Sequence, residues 1–163
     1  MMLVLLRLAG LGICAATGLV SLAAPVYASE HEHKHEAQHA APVLKPGQKW
    51  ASDEVLRQGM DNIRKAMLAN REAIEKERLG AQDYQKLAAA VSKETTNIVK
   101  NCRLSKDADA AFHTIVLADL IQSTEMMRTS PKVQVQRAGA FAVLQSLRHY
   151  GNYFQHPGWE IDR

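Results

Sequence analysis

Four of the seven histidines in this chain lie within eleven residues, Ser29-Glu-His-Glu-His-Lys-His-Glu-Ala-Gln-His39. Neutral imidazole is the commonest protein ligand for zinc, copper and nickel, so His31, His33, His35 and His39 form one candidate metal-binding set, with Glu30, Glu32 and Glu36 as auxiliary oxygen ligands. Where the chain is cut decides how sharp that set is. If the first residue after cleavage is Ser29, the new N-terminus reads Ser29-Glu30-His31, a free amine followed by His at the third position. The amine nitrogen, two deprotonated amide nitrogens and the His31 imidazole then form a square plane, which suits Cu(II) and Ni(II) and disfavours Zn(II).

The cut is expected there. Residues 1–28 begin with one early positive charge, Arg7, continue through an apolar run from Leu8 to about Leu22, and end in Val26-Tyr27-Ala28. Small residues at the first and third positions before the cut are the pattern of a signal peptidase site, so the segment reads as a secretory signal and not a retained anchor. The bulky Ile13 before Cys14 argues against a lipoprotein. The expected compartment is a bacterial periplasm. Removing Arg7 from the 20 basic residues leaves 19 against 17 acidic, and removing Cys14 from the two cysteines leaves only Cys102. Near-neutral charge gives no footprint for nucleic acid, and a single cysteine excludes an internal disulfide.

A second candidate set lies further along. Residues 29–49 are rich in His, Glu, Ala, Pro and Gly and too poor in large apolar residues to offset ordering entropy, so they read as a disordered tail. Residues 50–163 carry four stretches of helical periodicity with short connections. The first runs from a Ser52 cap to about Leu79, with Leu56, Met60, Ile63, Met67 and Ile74 on one face and Gly80 as its stop. The second, about Ala81 to Arg103, presents Tyr84, Leu87, Val91, Thr95, Ile98 and Cys102. The third, from a Ser105 cap to about Arg128, presents His113, Leu117, Leu120, Thr124 and Met127. Ser130-Pro131 opens the fourth, whose face is Val133, Ala140, Leu144, Leu147, Gly151 and Phe154, with Tyr150 close by. Tyr150, Tyr153, Phe154 and Trp159 read as an aromatic plug. The expected fold is all-α, an antiparallel up-down four-helix bundle preceded by the signal peptide and the His-rich tail.

In such a bundle Met60 and His113 stand at a common level, roughly 10–12 Å from one end, with Cys102 nearer the mouth. A thioether, a thiolate and an imidazole would suit Cu(I), or haem iron with Met and His as axial ligands. The alternative is plain packing: Met fills cores, free Cys behaves as a small hydrophobe, and core His is commonly hydrogen-bonded. No CxxCH attaches a c-type haem, and neither HExxH nor a di-iron ExxH motif is present. A Cys102–His113 catalytic pair would lack an orienting group, so no enzyme is expected.

The stretches KWASDEVLRQGM (49–60), IVKNCRL (98–104), ADAAFHTIVLADL (108–120) and YGNYFQHPGW (150–159) resemble a family of small exported proteobacterial proteins with a His-rich leader, labelled hypothetical or "DnrO-like". That resemblance implies a periplasmic helical bundle without assigned activity, some members being encoded near heavy-metal resistance genes. A looser likeness at fold level is to b-type and c-prime bundle cytochromes, in which Met60 would match an axial Met; the partner would be His149, which here falls on a polar stripe. The resulting expectation is a periplasmic protein that buffers, sequesters or delivers ions, copper before nickel or zinc. Its partners would be metal ions, a delivery or efflux protein, and a second copy if it dimerises. The alternatives are a haem-binding electron-transfer bundle and a partner-binding bundle with no metal role.

Overall fold

A computed structural model describes residues 44–161. The signal segment and Ser29–His39 lie outside the described residues. Within them the chain is helical throughout: α1 (Glu54–Glu75), α2 (Ala81–Asn101), α3 (Lys106–Phe112), a π-helical turn (His113–Leu117), α4 (Ala118–Thr129) and α5 (Val133–Tyr153). The segments from Lys106 to Thr129 follow one another without a break, so the elements form four helical rods, as the periodicity predicts. α1 packs on α2 and α5, α2 on α4, and α4 on α5, which closes a ring of contacts around one core. No described helix is long and apolar enough to cross a membrane.

The expected apolar faces of α1 and α2 meet in that core. Leu56, Met60, Ile63, Met67 and Ile74 from α1 are buried together with Tyr84, Leu87, Val91 and Ile98 from α2. On α5, Ala140, Leu144, Leu147 and Tyr150 are buried as well. Val133 was expected on the same face but is 38% exposed, and Gln136 is buried in the first turn instead. Gln136 is tolerated there because its Nε2 donates to the Met127 carbonyl at 3.0 Å.

Three helix ends differ from the sequence reading, each for a local reason. Asp53, not Ser52, caps α1, its carboxylate accepting from the Leu56 amide at 2.7 Å. The hydroxyl of Ser52 is turned to the Gln155 carbonyl. α1 stops at Glu75, well before Gly80, because Glu77 takes a left-handed conformation (φ 55°) and closes the end: the Arg78 amide donates to Ala73 O at 2.8 Å and the Glu77 amide to Ile74 O at 3.3 Å. Arg137 of α5 supports this glycine-free turn. It pairs with Glu77 at 2.8 Å and donates to the carbonyls of Ile74 and Glu75, both at 2.9 Å, where the negative helix end favours a cation. Gly80 instead opens α2, its amide donating to Asp83 at 3.1 Å. At the third end α5 begins at Val133, and Ser130 belongs to the preceding turn, accepting from the Lys132 amide at 3.2 Å.

α4 and α5 come close together at Gly139. A Cβ there would stand 2.7 Å from the Ser123 carbonyl oxygen, a backbone atom that cannot swing away, so only glycine fits. The chain ahead of α1 is tied to the end of α5. Trp50 N–H donates to Tyr153 O and Gln155 N–H to Trp50 O, each at 2.8 Å, and Gln155 Nε2 donates to Lys49 O at 3.2 Å. Lys45–Gln48 forms a turn before this tie. Lys49, the last residue of the expected tail, therefore takes part in this tie.

Candidate functional site

Met60, Cys102 and His113 were expected to converge, and their surroundings differ sharply. Met60 is completely buried in the core. Cys102 closes α2 and is half-buried against that core. Burial, and then the nearby Asp53 and Asp109 carboxylates, push its thiol above the ordinary range, away from the thiolate that binds metal. His113 lies on the surface, with Nε2 3.8 Å from Asp109 Oδ1.

The exposure of His113 corrects its expected register, and the π-helical turn is the cause. In a regular α-helix the residue four before buried Leu117 faces the core, which points to His113. The turn His113–Leu117 accommodates one extra residue, with the Ala118 amide donating to His113 O. The core position therefore passes to Phe112, which is buried and meets Phe154 edge-on with centroids 5.8 Å apart. Among the described residues no group of three or more His, Cys, Asp or Glu side chains is placed to hold a metal ion. His149, on α5, has its Nε2 3.0 Å from Gln145 Nε2.

The structure does assemble a polar cluster at the C-terminal end, one that the spacing of residues leaves unseen. Tyr150 Oη lies 3.0 Å from His156 Nδ1, and His156 Nε2 lies 3.3 Å from Asp61 Oδ2 on α1. Arg64, one turn on, holds the other Asp61 oxygen at 2.9 Å. It also lies over the Trp159 ring at 5.1 Å and donates to Glu160 O at 2.9 Å. Tyr150 stacks on Phe154 (5.4 Å) and meets Trp159 edge-on (4.8 Å). Trp159 in turn seats on Gly151, where a Cβ would come within 2.4 Å of the indole. The aromatic plug is thus formed by Tyr150, Phe154 and Trp159, while Tyr153 is 46% exposed and stands outside it. Tyr150 and His156 stand in the YGNYFQHPGW block; Asp61 and Arg64 give only an i, i+3 ion pair in the sequence, a pattern found on most helices.

An Asp–His–Tyr chain is the form of an acid–base relay, but its terminal phenol is fully buried. Burial pushes the Tyr150 hydroxyl well above its usual range, so it remains a donor. With Nε2–H directed at Asp61 and Nδ1 accepting from Tyr150, neutral His156 satisfies both neighbours at once. The cluster is therefore a tie that fastens the His-Pro-Gly-Trp segment to α1 and α5. It carries a pH signature. Burial lowers the His156 pKa below its ordinary 6.5, although Asp61 acts in the opposite direction. The unfolded chain then binds the proton first, so stability is full above about pH 6.5 and falls as pH drops from there towards the folded pKa. Thermal midpoints measured from pH 7.5 to pH 5 are expected to fall for the native chain and to fall less for His156→Gln. Equal slopes would show that His156 does not gate this loss.

No family model, no curated protein and no solved structure matches this chain.

Proposed function

We propose that this is an exported, periplasmic metal-binding protein, copper-preferring over nickel and zinc, that buffers, sequesters or delivers ions. The observation that carries the reading is the sequence Ser29-Glu30-His31 directly after a signal peptidase pattern ending at Ala28, followed by His33, His35 and His39. Cleavage there creates the primary site: the Ser29 amine, the amide nitrogens of Glu30 and His31, and the His31 imidazole take one Cu(II) in a plane. Both amide protons are released as the metal binds, so affinity rises with pH. His33, His35 and His39 take further ions more weakly, because none of them shares a chelate with an amine and two amide nitrogens.

In this reading the four rods are an up-down bundle that acts as a scaffold. Its core is closed by apolar side chains, so ions held at the N-terminus can load and leave without unfolding the body. Met60, Cys102 and His113 stand outside the proposed site: one is sealed in the core, one is held as a thiol, and one is on the surface. Adding Cu(II) to the exported protein while following its visible absorbance tests the proposal. A square-planar d–d band that saturates at one equivalent is expected; its absence would remove the N-terminal site.

A further inference from the structure

The α2 and α4 rods enclose an open groove of about 350 Å³ on the outer side of the body. Thr95 and Thr124, both buried, form its floor, and Val99 and Ile121 rise on its two walls. These two side chains are 50% and 55% exposed, the highest values among the large exposed hydrophobics of the described residues. The same face therefore offers both a hollow and two apolar projections. Charges of opposite sign border it, Lys100 from α2 and Glu125 from α4. We propose that this groove is the docking face for a second copy of the chain, in an isologous two-fold dimer in which Ile121 of each copy packs against Val99 of the other across the hollow.

The charges choose the occupant. In a two-fold interface, if residue i meets residue j across the axis, then j meets i. An axis lying between Lys100 and Glu125 places each lysine opposite the partner's glutamate, so both charges are answered by one contact type. Glu125 can accept this second cation, since Arg128 occupies it from its own helix, side by side at 2.7 and 2.9 Å, and a carboxylate has further acceptor positions. A uniformly acidic or basic partner would meet repulsion at one of the two borders, and an apolar surface such as a lipid layer would leave both charges unanswered. With two projecting apolar residues per copy, the association is of the weak, reversible class.

Sedimentation equilibrium of the exported protein, with chelator and reductant present, tests this directly. Those additives remove dimers bridged by metal at the His-rich segment or by a Cys102 disulfide, so the outcome is independent of the metal-binding proposal. A reversible dimer is expected, weakened about tenfold or more by Ile121→Glu, a loss of about 1.4 kcal/mol. Lys100→Glu alone and Glu125→Lys alone are each expected to weaken it. The two together should restore it, because the exchanged charges again face one another. Circular dichroism of each variant confirms that the helices are retained. A monomer at all concentrations would overturn the proposal and leave the groove to a different partner. So would a dimer indifferent to Ile121→Glu, or single-charge losses that the double exchange fails to repair.

Discussion

Replacing His31, His33, His35 and His39 together by alanine is expected to lower Cu(II) affinity by about a hundredfold or more, measured by competition with a chelator of known affinity. The expectation follows from the donor set. Without His31 the amine and amides keep three nitrogens but lose the imidazole that completes the plane and helps draw the amide protons off. Without the other three, no imidazole remains to take the metal in their place. Restoring His31 alone should recover most of the one-equivalent binding, whereas restoring His39 alone should not. The thermal midpoint of the metal-free variant should equal that of the native chain, because in the proposed reading the four imidazoles serve only the metal. Undiminished Cu(II) binding would move the site elsewhere on the molecule.

The second large effect concerns Met60, the residue whose chemistry is easiest to misread. Met60→Ala is expected to destabilise the metal-free protein by about 2–5 kcal/mol in denaturant unfolding, since a completely buried thioether is removed and a cavity remains. Met60→Leu keeps the volume and should cost less than about 1.5 kcal/mol. The neighbouring Gly59 shows how tightly this part of α1 sits on α2: a Cβ there would fall 2.5 Å from Ile98 Cγ1. Little room exists for collapse around a deleted side chain, which places the alanine cost towards the upper part of that range. Both variants should bind Cu(I) as the native chain does. Loss of Cu(I) binding in Met60→Leu, with stability retained, would instead make the sulfur a ligand.

The helical rods and most of their buried faces were legible because amphipathic periodicity is a local signal and survives into the packed structure. The faces of α1 and α2 are the clearest cases. Helix ends were less legible, since they depend on partners distant in sequence: Arg137 from α5 supports the turn at Glu77, and Gln155 draws Ser52 away from a capping role. Besides Val133 at the start of α5, register failed at His113, and there for an identifiable reason. The π-helical turn at His113–Leu117 adds a residue, so everything before it rotates, and Phe112 takes the core position expected for His113. No 3.6-residue pattern can announce such an insertion. The Asp61–His156–Tyr150 tie was hidden because Asp61 meets its partners only once the C-terminal segment folds back on α1. The proposed N-terminal set is of another kind. Its chemistry depends on a chain end and on consecutive residues, so the sequence alone defines it.

In the proposed function, export creates a square-planar copper site at Ser29-Glu30-His31. It is tested most directly by sequencing the N-terminus of the exported protein and recording its visible spectrum during Cu(II) addition. A first residue of Ser29 and a square-planar d–d band complete at one equivalent, unchanged by excess Zn(II), are expected. A different first residue, or Cu(II) that Zn(II) displaces, would contradict the proposed site.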